Sequence, residues 1–566
     1  KMPEKKYSAL SLKWDEMQKI LRDPILLSTI ILVGLSLIIF IVWPLYEVLF
    51  QSFINDQSGS LTLAYYREAL SHSENIQVLF NTIGLGLFVS FFGTLIGFLF
   101  AYAEAYLKLP FKKLFNIIAI LPIISPPFAL AMSFIMLFGQ QGFVSKVILG
   151  IKDANVYGFT SLAVVQILTF FPVAYLVLAG LMKQIDPSME EAARNMGASR
   201  WHTFKTVLLP LLTPGIANSF LLLFIQTAAD FGNPMVIGGN FNTMAAQVYL
   251  QAMGNYNLKE GTALATILLT LSILMFVLQK YWVGNKSYVT LTGKPSRVRE
   301  LVTDKQIMTI FGIPCFLIAL FIIVLYVLIP VGSFVNLWGI DYTFTLRHYV
   351  YIWNLGIKPI VDTTVLSLIS MPITGVLGMV IAFLIVRKRF MGRGLIEFVS
   401  LLSLAIPGTV IGMGYVLAYN QPPLILTGTG TIIVLSFVFR SMPVGIRAGV
   451  ASPPHIDPAT EAAAQDLRAC SFKVFHSVTI PLIKSAFFSG LVYSFVRSMT
   501  AVSAVIFLVS ASVNLLTVTI MSHVDVGRLG VAAAYSTVLI AIVLIVVGIL
   551  LFLLNKIGVN ISDVQG

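Results

Sequence analysis

The sequence predicts an all-α polytopic membrane protein, on three observations. Apolar runs of about 20 residues recur along its whole length, each long enough to cross a bilayer as a helix. Only 11% of its residues are charged, under half of the roughly 25% usual in soluble domains. Lys and Arg gather in a few of the segments between the runs. A β-barrel would instead read as short alternating segments.

In order, the expected spans are approximately 25–50, 78–106, 115–138, 159–181, 213–238 and 261–283, then 308–332, 361–386, 395–418, 431–450, 484–511 and 530–555. That makes about twelve. The first run, beginning near Pro24, lacks a small-residue cleavage site and reads as a true span rather than a signal peptide. Positive residues orient the set. Lys1, Lys5, Lys6, Lys13, Lys19 and Arg22 precede the first span; Lys286, Lys294, Arg297, Arg299 and Lys305 fill the middle connector; Arg387, Lys388, Arg389 and Arg393 follow the eighth span. With twelve spans all three groups fall on one side, while the opposite segment 419–430 has no Lys or Arg. The positive-inside rule therefore places both termini in the cytoplasm. The chain divides into a cytoplasmic segment 1–24, a six-span block 25–283, a cytoplasmic connector 284–307, a second block 308–555 and a tail 556–566.

The net charge of +12 would suggest nucleic acid in a soluble protein. Here the loops account for it, and no nucleic-acid-binding motif accompanies it. Of the two cysteines, Cys315 falls in a span and Cys470 in a cytoplasmic loop, so no structural disulfide is expected.

The two blocks repeat each other. Residues 185–212, IDPSMEEAARNMGASRWHTFKTVLLPLL, align without a gap to 456–483, IDPATEAAAQDLRACSFKVFHSVTIPLI. Glu190 meets Glu461, Ala192-Ala193 meet Ala463-Ala464, Phe204 meets Phe475 and Pro210 meets Pro481. LFNTIGLGL from Leu79 echoes IVDTTVLSL from Ile360, and LPIISPPFAL from Leu121 echoes LSLAIPGTVI from Leu402. Lipid does not dictate the polar match. Two homologous six-helix halves in the same orientation should be related by a pseudo-twofold axis along the membrane normal.

Each polar copy, 182–212 and 451–483, reads as a short helix–turn–helix at the cytoplasmic surface. Asp-Pro starts a helix, with Asp as cap and Pro in the first turn. Glu190 and Glu191 suit its positive end. Ala192 and Ala193 keep its surface flat, and Gly197 permits a sharp turn. One copy alone could be an amphipathic helix resting on lipid. Two copies in symmetric places argue for a two-sited partner.

At these residues the chain resembles the integral membrane subunits of binding-protein-dependent ABC importers. Their loop reads Glu-Ala-Ala, three residues, Gly, then about nine residues before an Ile/Leu-Leu-Pro ending; Glu191-Ala192-Ala193, Gly197 and Leu209-Pro210 match it. The likeness covers essentially the whole chain. It implies that each loop is a coupling helix docking on an ATP-binding cassette subunit, and that an extracytoplasmic binding protein delivers the cargo. The second copy departs: Ala462 stands for Glu191 and Arg468 for Gly197. It is expected to turn differently or couple less strongly, and equal losses of transport in Glu191→Ala and Glu461→Ala would refute that. No GxxxxGK[ST] phosphate loop is present; TGKPS at 292–296 lacks the spacing. ATP and Mg²⁺ are thus expected on a separate ATPase dimer, with no cofactor in this chain. The fused two-half form, with TAADFGNPMVIGGNFNTMAAQVYLQ from Thr227 and FVRSMTAVSAVIFLVS from Phe495, resembles the ferric-iron branch. That implies a bacterial plasma (inner) membrane permease importing iron, free or chelated. Related branches carry phosphonates, sugar phosphates, thiamine or polyamines.

Inside the spans, Asp230, Arg440 and Arg497 are the ionisable groups that stand out. Such groups are costly in lipid and usually face a bundle interior or a wet cavity; the two arginines could instead snorkel to an interface. Asp230 and Arg497 occupy matching spans, so an Asp230–Arg497 gate pair is one expectation. Pro126-Pro127 and Pro407-Gly408 interrupt spans three and nine, either to line a pathway or to help packing. No carboxylate cluster suited to naked Fe³⁺ is evident. An ion-coupled secondary transporter is the remote alternative, since it also uses parallel repeats but needs no paired polar loops. An intramembrane enzyme would need an intramembrane His/Cys/Asp cluster, and the six histidines are scattered.

Overall fold

The structure is a computed structural model, and it describes residues 23–55, 58–151, 153–283, 301, 304–451 and 484–556. The second polar copy, with Glu461, Ala463, Ala464 and Arg468, lies outside the described residues.

The first part of the chain forms α1 (Pro24–Phe53), α2 (Ala64–Ser71), α3 (Ser73–Tyr106), α4 (Lys112–Ile124), α5 (Ala129–Phe138), α6 (Phe159–Gln184), α7 (Pro187–Asn195), α8 (Arg200–Ala228), α9 (Gly232–Ile237), α10 (Met244–Tyr249) and α11 (Leu258–Tyr281). The second part forms α12 (Lys305–Ser333), a hairpin of β1 (Val335–Leu337) and β2 (Asp341–Phe344), α13 (Arg347–Leu355), α14 (Ile357–Arg387), α15 (Arg393–Leu402), α16 (Gly408–Tyr419), α17 (Gly430–Ala451), α18 (Lys484–Met499), α19 (Leu516–Asp525) and α20 (Leu529–Lys556). Local chemistry sets several of these ends. Asp23 accepts the Leu26 N–H at 3.1 Å, and Pro24 supplies the first turn of α1.

Among the described residues ten helical stretches are long and apolar enough to cross a membrane. The ninth and eleventh of the twelve expected spans are not among them, because their described helices, Gly408–Tyr419 and Lys484–Met499, are shorter. The third expected span is two helices, because Pro126 and Pro127 lack the N–H that would continue α4; Ser125 is extended and α5 starts afresh at Ala129. The ninth divides in the same way, with Pro407 capping α16. The fifth, expected to reach 238, stops at Ala228, where the Asp230 carboxylate takes the Gly232 N–H and the chain turns into α9. The eleventh, expected to reach 511, stops at Met499, and a single 3₁₀ turn follows at Val505–Phe507.

Two trios of helices form the body. In the first, α3, α6 and α8 pack on one another; in the second, α14, α17 and α18 do so. Small residues bring the backbones together, as expected where lipid supplies no hydrophobic drive. A Cβ added to Gly97 would lie 2.6 Å from the Ala174 Cβ and 2.8 Å from the Tyr175 nitrogen, and Gly378 faces Gly445 in the second trio. Two long helices cross between the parts. α1 packs on α16, where Tyr415 Oη donates to the Phe40 carbonyl at 2.9 Å. α12 packs on α4 and α5, where Tyr326 and Ser125 share a hydroxyl hydrogen bond, and the Trp338 indole beyond its end donates to the Met136 carbonyl at 2.8 Å.

Arg200 meets Asp304 at 3.4 Å and Lys280 meets Glu397 at 3.8 Å, which joins the start of α8 to the end of the connector and the end of α11 to α15 on one face. The β-hairpin lies on the other. There the Asn336 amide and Thr343 N–H hold the Asp341 carboxyl below its ordinary range.

Candidate coupling surface and translocation cavity

The first polar copy folds as its residues direct. Asp186 accepts the Ser188 N–H at 2.9 Å, and Pro187 opens α7. Met196 ends it, and Gly197, at φ +88°, makes the left-handed turn that an L side chain would strain. Ser199 then caps α8 by accepting the His202 N–H at 3.2 Å. The second short helix is not separate: it runs on from Arg200 to Ala228 as one span.

α7 has two faces. Glu190 and Ala193 are buried against the protein, whereas Ala192 and Gly197 are exposed and Glu191 is half-buried. Tyr106, the last residue of α3, donates to Glu190 Oε1 at 2.7 Å. Next to it Glu104 is buried and bound by Tyr175 Oη at 2.7 Å, the Asn116 amide at 3.1 Å and Lys183 Nζ at 3.4 Å. Phe204 stacks on Trp201 and meets the rings of Phe98 and Tyr102 edge to face. The loop is thus braced to α3 by one face. Its free face carries Ala192 and the apolar Met189, Met196 and Trp201, of which Met196 is 83% exposed and Trp201 70%. An exposed apolar patch of this kind suits a protein partner. Sequence reading missed Glu104 and Tyr106; a carboxylate flanked by aromatics at the end of an apolar run was the available signal.

The intramembrane ionisable residues come together. A cavity of about 130 Å³ lies where both parts of the chain meet, lined by Pro127 and Asp230 from the first and by Ile406, Ser436, Arg440 and Arg497 from the second. Pro126 and Pro407 shape the backbone beside it without lining it; their carbonyls accept the Ala129 and Val410 N–H groups. The ends of α8 and α18 and the starts of α5 and α16 all fall near it. Broken helices at a central cavity are the usual backbone of a transport site.

Asp230 forms no ion pair with Arg497 in this structure. Its carboxylate accepts from the Gln166 amide at 2.8 Å, the Asn233 amide at 2.9 Å and the Gly232 N–H at 3.2 Å. These three neutral donors satisfy its oxygens without a cation. Arg497 is exposed to the cavity, and Arg440 Nη1 is buried without a hydrogen-bond partner among the described residues, as is Ser436 Oγ. Gln166, Asn233 and Ser436 were not singled out by sequence; neutral polar residues inside apolar runs are a weaker signal than charges. Among the described residues no three His, Cys, Asp or Glu side chains converge.

Residues 93–284, which include α7 and Asp230, match the family described as binding-protein-dependent transport system inner membrane component. The ferric transport system permease protein of Actinobacillus pleuropneumoniae is 36% identical over 537 residues, 93% of this chain and 78% of that protein. The chain belongs to this family of ABC importer permeases. A putative ferric transport system permease of Haemophilus influenzae is also 36% identical to the permease, over 89% of this chain and 81% of its own. The sulfate transport system permease of Escherichia coli is 23% identical over 39% of this chain and 80% of its own. The permease is accordingly an inner-membrane transport subunit rather than an enzyme.

Proposed function

We propose that this permease is the membrane subunit of an ATP-driven importer of ferric iron, delivered by an extracytoplasmic binding protein. The observation that carries this is the 36% identity to two ferric permeases across nearly the whole chain. Twelve membrane passages, counting the interrupted ones, form two six-span halves about a pseudo-twofold axis. Both termini lie in the cytoplasm, on the face that carries α7.

Two ATP-binding cassette subunits dock at that face, one on each polar loop, and bind the ATP and Mg²⁺. The exposed face of α7 supports the first contact, and Glu191, Ala192 and Gly197 lie on or beside it. ATP binding closes the ATPase dimer and the loops follow. The Tyr106–Glu190 bond passes that movement into α3, the Glu104–Lys183 contact shares it with the end of α6, and the halves rock about the cavity. Cargo released by the binding protein then reaches the cytoplasm.

The test is uptake of labelled ferric iron by iron-limited cells with and without the gene. Uptake lost on deletion, and restored by the intact gene but not by Glu191→Ala, supports both cargo and coupling. Unchanged uptake in cells with no second iron system removes iron and leaves the importer. A second reading, an organic phosphate as cargo, is favoured by the two guanidinia in the cavity. Competition of iron uptake by excess phosphonate or sugar phosphate separates the two.

A further inference from the structure

The cavity lets the cargo be described more closely, on the reading that it is the translocation path. We propose that Arg440 and Arg497 form an anion-recognition site, and that iron crosses it as a ferric complex with an oxyanion or polycarboxylate, not as the bare ion.

The first ground is unpaired positive charge. Arg440 on α17 and Arg497 on α18 line one cavity from adjacent packed helices. No ion pair joins either to a carboxylate among the described residues. Arg440 Nη1 and Ser436 Oγ are buried without a partner there. A guanidinium kept inside a membrane protein without a counter-charge is costly, and a site of this kind is retained for what it binds.

The second ground is the carboxylate. Among the described residues Asp230 is the only acidic one lining the cavity, and three neutral donors already hold it. Bare Fe³⁺ needs several hard oxygen ligands, and two guanidinia beside it would repel a trivalent cation. A complex whose outer surface is phosphate or carboxylate oxygen reverses both terms. Guanidinium is well suited to such oxygens, because it presents paired N–H groups to them.

The third ground is asymmetry. The repeat register that aligns Pro172 with Pro443 and Phe224 with Phe495 puts Thr169 at the place of Arg440, Gln226 at that of Arg497, and Ala501 at that of Asp230. Uncharged side chains thus serve the same places in the other half, so the fold itself does not demand the charges. The sequence also makes room for them: a Cβ on Gly408 would lie 2.3 Å from Arg440 Nη1. Gly408 opens α16, whose N-terminal N–H groups add to the positive potential near the cavity.

The experiment reconstitutes the permease with its ATPase and binding protein in liposomes and supplies ⁵⁵Fe with either ³²P-phosphate or ¹⁴C-citrate. The expected result is ATP-dependent entry of the anion label together with iron, and whichever label enters identifies the anion. Arg440→Gln and Arg497→Gln should each lower the initial rate about tenfold or more, as for loss of one partner of a buried charge pair. Arg440→Lys should keep part of the rate, which loss of packing alone would not allow. Co-purification with the ATPase checks that each variant is folded. Iron entering with neither label, or Gln variants running at the wild-type rate, overturns the inference and leaves the iron reading standing. Failure of the unaltered complex to move iron with either anion overturns the iron reading, and the inference with it.

Discussion

Glu190 and Glu191 are neighbours in sequence and differ in environment. Glu190 is 8% exposed and bound by Tyr106, whereas Glu191 is half-buried toward the free face of α7. Tyr106→Phe removes a buried hydrogen bond to a carboxylate, worth about 1–3 kcal/mol. It should lower the Tm of the purified permease and slow uptake; an unchanged Tm would show that the bond is not under load. Ala192 and Ala193 divide in the same way. Ala192→Arg should leave the Tm of the isolated permease near wild type and abolish co-purification of the ATPase. Ala193→Arg drives a charge into a buried position and should reduce folded yield. The reverse pattern would show that α7 docks by its other face.

At the scale of the element, α7 is bounded by its own residues, Asp186 and Pro187 at the start and Gly197 at the end. The long spans depend on contact instead. Gly97→Ala sets a Cβ against the Ala174 methyl and the Tyr175 backbone. Neither can rotate away, so α3 and α6 must separate, at a cost of about 1–3 kcal/mol; a lowered Tm checks it. Gly408→Ala meets Ser503 Oγ and Arg440 Nη1, which can turn aside, and also Ser503 Cβ at 2.6 Å, which cannot. Its expected outcome is therefore double: a lowered Tm, because the start of α16 must shift off Ser503, and slower uptake, because the guanidinium is displaced. Equal uptake with normal yield would place Arg440 outside the path.

For the whole molecule, the crossing of α1 and α12 is the feature to test. α1 rests on α16 through Tyr415 and Tyr419, which bond to the Phe40 and Ile39 carbonyls, and α12 rests on α4 and α5. Each part of the chain therefore holds a helix of the other. Residues 1–283 and 284–566 expressed as separate chains should assemble, so that a tag on one captures the other. The double substitution of Tyr415 and Tyr419 by Phe should weaken that capture. Lack of assembly by the unaltered pieces would mean that the covalent connector, not this packing, keeps the parts together.

The sequence by itself determined the helical membrane class, the polar loop with its cap and glycine turn, and the charged residues worth following. These are local matters: hydropathy over about 20 residues, a cap beside a proline, a charge inside an apolar run. It also marked Pro126 and Pro407 as interruptions, because a missing N–H acts where it stands. Only the tertiary structure decided that Glu190 faces inward onto Tyr106, that Asp230 is held by Gln166 and Asn233, and that Arg440 and Arg497 share one cavity. It alone ended α8 and α18 short of their expected lengths and crossed α1 and α12 between the parts. The Tyr106–Glu190 and Gln166–Asp230 bonds, the shared cavity and the crossing helices turn on partners distant in the chain, and hydropathy is the same whether an apolar helix meets lipid or another helix.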